Sequence, residues 1–370
     1  MTRDPELHIT VVAFTKGAGM EMTDEIALTK AALLYADRVT LASPKAVMFA
    51  SIAGYLSANE SDRRDVLMEM AATLRGGAAV LAAWQKLAAK KYRTGPEIIA
   101  ATQMRRKLDD SAGKMAAKIE EMLEDAKAGE LDRAMQAGVL ELDTLGAERI
   151  SDPLSKDGIT EAVIELIGDV LAPSASTYPM FSEITGGIAR AMVREGKIDG
   201  AELAPTTQAH IAGRFISAIE AFPDAPMDVV LDARGKLQGP LRRFRAGVTR
   251  LSRELSGGGI DALDPRFEQA ADDLYREHVA TALQEIEELS REIGLRNALL
   301  RSSPKAARDV ALATMALVAT TGGGVGELAT LAAGAGADLV GRTAIRQREL
   351  RDKRDQNEFV FLYEADKRLA

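Results

Sequence analysis

Residues 8–42 read as strand, helix, strand, with a further helix start directly behind, and this succession leaves few folds open. His8-Ile9-Thr10-Val11-Val12-Ala13-Phe14 is the β-branched, apolar run of a buried strand. A loop follows, Thr15 to Gly19. Thr23 then stands as an N-cap, with Asp24 and Glu25 in the first turn, where the helix dipole favours carboxylates. Ile26, Lys30, Leu33 and Leu34 continue the helix to about Ala36, and Arg38–Ala42 gives a second strand. Ser43-Pro44 opens another helix, Ser as cap and Pro at the first helical position, where its missing N–H costs nothing. Strand–helix–strand requires a crossover, hence parallel pairing of right-handed sense. Two strands are too few for a stable sheet. Val139–Leu142 and Met227–Leu231 are the candidates to join them.

The expected fold class is therefore predominantly α, with a small α/β (βαβ) N-terminal unit. Residues 1–255 are expected to form an α/β core with strands near 8–14, 38–42, 139–142 and 227–231 and a large helical insertion. Residues 260–370 are expected to form a helical domain. Asp62 to about Gly129 is nearly continuous helix, broken at Gly76-Gly77 and Arg93-Thr94-Gly95-Pro96. Ala175–Thr177 and Ala204–Thr207 read as loops, and helices follow over Thr207–Ala221 and from Arg234 to Leu255. Ser256-Gly257-Gly258-Gly259 reads as a flexible joint. From Asp264-Pro265 a long helix runs to about Arg301. Its Val279, Ile286, Ile293 and Leu300, with Ala282 and Leu289 between them, form a coiled-coil-like seam that suits an intramolecular hairpin or a dimer. Residues 357–369 are apolar and aromatic enough to dock on the body.

Val310 to Gly341 is rich in Gly and Ala and carries only two charges, Glu327 and Asp338. Gly322-Gly323-Gly324 divides it into two helices of about 16 residues, each about 24 Å long. That falls short of a hydrocarbon core of roughly 30 Å. Small residues such as Gly334, Gly336, Ala333 and Ala337 permit close helix approach. A tightly packed C-terminal helical hairpin is expected, with a membrane-active hairpin as the alternative.

Composition removes several chemistries. The chain has no Cys, which excludes disulfides, thiolate metal sites and a Cys nucleophile. A net charge of -8 argues against a general nucleic-acid binder, whose affinity depends on clustered Lys and Arg. The N-terminal residues have no apolar core of the secretory kind, and a bacterial cytoplasm is expected. Lys16-Gly17-Ala18-Gly19 occupies a phosphate-loop position but lacks both G-x-x-x-x-G-K-[ST] and G-x-G-x-x-G. With Glu21, Asp24 and Glu25 close behind, it reads as an ordinary loop. His8, His210 and His278 share no ligand spacing. Asp228 and Asp232 flank the expected strand, with Asp232 as a turn or helix cap. Ser182-Glu183 and Thr185-Gly186-Gly187 lack the Gly-x-Ser-x-Gly elbow. Two basic clusters stand out: Arg242, Arg243, Arg245, Arg250 and Arg253, and then Arg342, Arg346, Arg348, Arg351, Lys353 and Arg354. Either suits nucleic acid or anionic lipid. Interleaved with acids or following apolar faces, both read as solvated helix surface. No residue is singled out as catalytic, cofactor-binding or metal-ligating, and no cofactor is expected.

Lys30–Pro44 (KAALLYADRVTLASP), Asp228–Leu255 (DVVLDARGKLQGPLRRFRAGVTRLSREL) and Phe359–Leu369 (FVFLYEADKRL) resemble segments of uncharacterised bacterial proteins grouped only as domains of unknown function. The resemblance covers about a seventh of the chain and transfers no catalytic residue. It implies a bacterial accessory protein, of the mobile or defence-associated kind. The expected role is a non-enzymatic interaction or structural protein, with a protein partner or self-association and without nucleic acid. A membrane-acting effector using 310–341, and an enzyme at the carboxyl edge of the parallel strands, are the alternatives.

Overall fold

The computed structural model describes residues 6–14, 21–57, 82, 85, 94–143, 156–172, 175–198, 203–292 and 348–370. The fold is mostly helical, with a small parallel sheet near the N-terminus. Two compact units are present: Met1–His210 with Pro226–Leu231, and Ile211–Ala225 with Asp232–Ala370. The units therefore divide earlier than the 255–260 boundary expected from the glycines.

In the first unit, β1 (His8–Val12), β2 (Arg38–Ala42), β3 (Leu140–Leu142) and β4 (Tyr178–Phe181) pair in the order β3-β2-β1-β4. All three pairings are parallel: His8 faces Arg38, Val12 faces Phe181, and Val39 faces Leu140. Ile9, Val11, Val39 and Leu41 are fully buried. Each contributes about 1.5–3 kcal/mol by leaving water. The helices are α1 (Thr23–Tyr35), α2 (Pro44–Ser57), α3 (Gly95–Asp125), α4 (Ala128–Gln136), α5 (Lys156–Leu171) and α6 (Glu183–Arg194). The last two described here, α7 (Leu203–Ser217) and α8 (Met227–Lys236), run across the boundary between the units. Val139 enters β3 through a left-handed turn at Gly138, φ 69°, that closes α4: the Val139 amide reaches back to the Ala134 carbonyl.

Four expectations are corrected. The fourth strand is Tyr178–Phe181, whereas Met227–Leu231 lies in α8. Met227, Val230 and Ala233 are buried there at helical spacing. Thr23 is the first helical residue of α1 and does not cap it; Met22 holds the cap position without a side-chain bond. Ala204–Thr207 belongs to the first turns of α7, where Pro205 needs no amide partner.

The fourth correction falls in the second unit, which contains α9 (Gln238–Gly257), α10 (Phe267–Leu274), a π-turn over Tyr275–Ala280 and α11 (Val360–Leu369). Helical residues also occupy 281–292 and 348–356. The 256–259 segment is an ordered helix end, not a flexible joint. Gly259 sits at φ 73°, its amide bonds to the Ser256 carbonyl at 3.0 Å, and the Ile260 amide bonds to the Leu255 carbonyl at 3.0 Å. That pair of bonds satisfies the last carbonyls of α9.

The apolar stripe of α9, Leu241, Phe244, Val248, Leu251 and Leu255, is buried. Phe244 stacks on Phe361 of α11 at 5.0 Å between ring centroids, and Phe359 meets both Phe244 and Phe215 edge-on. Glu358 pairs with Arg250 and lies over Gly247, where an added Cβ would stand 3.1 Å from its carboxyl. The expected docking of 357–369 is thus an aromatic packing contact tied down by one ion pair.

The π-turn solves a register problem. Phe267, Ala271 and Leu274 are buried at α-helical spacing. An unbroken α-helix would next bury His278 and then Glu285, given 3.6 residues per turn. One extra residue in the π-turn brings in Val279 and Ile286 instead, both fully buried. These two seam residues are therefore already covered within the chain. The Gly/Ala-rich segment 310–341 and seam residues Ile293 and Leu300 lie outside the described residues. So do the loop 15–20, Gly76-Gly77 and Arg342–Arg346. Among the described residues no helix is long and apolar enough to cross a membrane.

Candidate functional site

A sheet ordered β3-β2-β1-β4 changes winding direction between β1 and β4. The crevice beyond their carboxyl ends is where open parallel sheets take ligands. The Ala42 end of β2 lies beside it.

Ser182 follows β4 directly and caps α6. Its Oγ accepts from the Thr185 amide at 3.4 Å and from the Phe14 amide at 3.3 Å, and it also meets the Thr185 hydroxyl. The Thr185 hydroxyl donates to the Val12 carbonyl at 2.8 Å, and the Ser182 amide donates to the same carbonyl at 3.1 Å. The end of β1 and the start of α6 are thus laced together through two buried hydroxyls. Ser182 has ordinary extended backbone, φ -65° and ψ 164°, so it is not a strained nucleophile turn. Across the edge, buried Ser43 caps α2 by accepting from the Ala46 amide at 3.2 Å. Lys45 holds the approach to α1 by donating to the Glu21 carbonyl at 2.8 Å.

His210 enters from α7. Its Nε2 accepts the Phe181 amide at 3.0 Å, and its ring lies tilted against Phe181 at 6.1 Å. A nitrogen that accepts carries no proton, so the imidazole is neutral with its hydrogen on Nδ1. Part of the residue reaches the surface, yet protein packs around the ring, and desolvation lowers its pKa to about 4. The Phe181 amide points away from β1, because the neighbouring Ser182 amide bonds to Val12. His210 therefore terminates the open edge of β4. Thr10 and Thr177 share a 2.7 Å hydroxyl bond near the opposite end of the same strand pair.

The remaining titratable candidates are dispersed. His8 opens β1, at the amino edge, with Nε2 2.9 Å from the Thr40 hydroxyl; burial, then Arg38, lowers its pKa. His278 lies in the π-turn, its Nε2 buried without a hydrogen-bond partner. Asp228 and Asp232 are helical rather than at strand ends: Asp228 lies 3.8 Å from Arg133, and Asp232 pairs with Lys236 at 2.7 Å. Among the described residues no group of three His, Asp or Glu is placed to hold a metal. Sequence reading did not find Glu130. In the first turn of α4, its carboxylate lies 3.2 Å from buried Lys30 and accepts the Met227 amide at 2.7 Å. The only sequence signal for it was an acidic residue near a helix start.

Comparisons of the chain with known protein-family models, curated proteins and solved structures give no match.

Proposed function

We propose that this chain is a non-enzymatic interaction protein of a bacterial cytoplasm, acting by offering helical surface to a protein partner. One observation carries the reading. Among the described residues, the side chains that chemistry would draw on at the carboxyl edge, Ser182, Thr185, Ser43 and His210, serve to cap backbone groups. A hydroxyl or imidazole committed to backbone is poorly placed to attack a substrate or relay its proton. Partner contact through the 267–292 helix does not draw on Val279 and Ile286, which the chain itself covers. The resemblance to bacterial accessory proteins supports the same role and suggests a defence-associated setting.

Size-exclusion chromatography with light scattering, joined to cross-linking in the native host, tests this. A complex of defined stoichiometry, containing a second chain type or a second copy, is expected. A strict monomer that cross-links to nothing would overturn it.

The reversal of strand order favours a second reading, a small ligand held between β1 and β4. A rise in unfolding temperature on adding inorganic phosphate or nucleotides would support it. Loss of that rise on Thr185→Val would place the ligand at this crevice.

A further inference from the structure

We propose that the solvent face of α9 is a docking surface for an acidic protein segment, an inference that rests on the interaction reading above. Arg242 and Arg253 are exposed and lie three turns apart, about 16 Å, on the side of α9 opposite its buried stripe. Arg243 flanks them, half-buried, with its Nε shielded from solvent and without an acceptor. Among the described residues none of these three guanidiniums has an ion pair or hydrogen bond. Arg250 is different, being paired with Glu358. No acidic residue occupies the first turn of α9, although the dipole there would favour one. A chain of net charge -8 thus places these guanidiniums, without a carboxylate partner among the described residues, on one helix, with Arg242 and Arg243 towards the dipole end that disfavours cations.

Carboxylates fit this surface better than other anions do. Ala246 and Thr249 lie between the arginines and leave room for a second backbone to approach. The one aromatic residue of α9, Phe244, is fully buried, so no ring is offered for base stacking. A lipid surface would need apolar side chains beside the cations. Among the described residues the exposed large apolar ones, Met48, Ile98, Ile99 and Ile164, belong to the other unit. Guanidinium forks bind carboxylates bidentately, which supplies both orientation and strength.

The test uses the full chain and a fluorescein-labelled peptide of Glu-Ala-Ala-Glu repeats, followed by fluorescence anisotropy. Binding is expected at about 50 mM salt and should weaken steeply by about 300 mM. The triple substitution R242Q/R243Q/R253Q should weaken it at least about tenfold, with an unchanged circular-dichroism melt. Arg276→Gln, which removes a cation paired with Asp273, should leave it unaltered. Equal binding by the triple variant and the native chain would overturn the proposal. So would capture of a single-stranded oligonucleotide or an anionic phosphatidylserine vesicle in preference to the peptide. If the native complex forms undiminished with the triple variant, the interaction reading stands and this surface is not where the partner sits.

Discussion

The Phe181 amide donates to Nε2 of His210 at 3.0 Å, which closes the outer edge of β4 with an uncharged imidazole. Alternation along the strand puts Pro179, which has no N–H, at the preceding outward position. The two residues together leave β4 little with which to recruit another strand. The bond also makes His210 a pH-dependent contributor. Its folded pKa, about 4, lies below the unfolded value of 6.5. Neutral imidazole is thus favoured by folding. The contribution is fully present above pH 6.5 and is lost as pH falls towards 4, with a ceiling on the order of 3 kcal/mol. His210→Gln keeps an acceptor but cannot titrate. Urea unfolding at pH 7 and pH 4.5 should show the native chain losing more stability than the variant, and parallel losses would remove the assignment. His210→Ala leaves the Phe181 amide unpaired and should cost about 1–3 kcal/mol at pH 7.

Ser182→Ala tests the capping role directly. Loss of the cap on α6 and of the Phe14 contact should lower stability by about 1–2 kcal/mol in denaturant titration. Ser182→Asp, another capping residue, should restore part of it. Full stability in Ser182→Ala would show that the hydroxyl is not structural.

Gly259→Ala forces a side chain into φ 73° and should destabilise by about 1 kcal/mol. Gly257, inside the helix with open space where a Cβ would go, should be stabilised by Ala instead. Thermal unfolding of the two variants should therefore shift in opposite directions.

Deletion of His278 removes the one residue that the π-turn accommodates. Leu274 and Val279 then become four positions apart, so Val279 and Ile286 keep their buried places in an unbroken α-helix. The buried Nε2 without a partner disappears as well. The deletion variant should fold with equal or higher thermal stability, whereas Ile286→Ala should lose about 2–5 kcal/mol. A deletion as damaging as Ile286→Ala would show that the π-turn has another purpose.

The first three strands and the start of α2 were legible because apolar β-branched runs and a Ser-Pro pair are local signals. Tyr178–Phe181 was not, since it is four residues long, contains Pro179, and owes its place to Val12 and His210. Met227–Leu231 misled because Val229-Val230-Leu231 suits a strand. Helical burial of Met227, Val230 and Ala233, with Met227 fixed by Glu130, outweighs that preference. Ser256–Gly259 looked flexible because glycine signals both freedom and a left-handed helix end, and only the Ile260 to Leu255 bond separates the two. The seven-residue seam assumed one helical period throughout, which the π-turn breaks. At the carboxyl edge, sequence identified Ser182, Thr185 and His210 as residues without a motif. It could not show that their polar atoms converge on Val12, Phe14 and Phe181.

The Met227 amide resting on Glu130 bears on the order in which the chain assembles. The first unit takes its last piece, Pro226–Leu231, only after Ile211–Ala225 has passed into the second. During vectorial synthesis the Glu130 carboxylate must wait about a hundred residues for this partner, a delay of roughly 5–20 s at ordinary elongation rates. The sheet and α1 can form early, but the first unit reaches its final state only once the second has begun to emerge. Neither unit should be recoverable intact by a single cut of the chain.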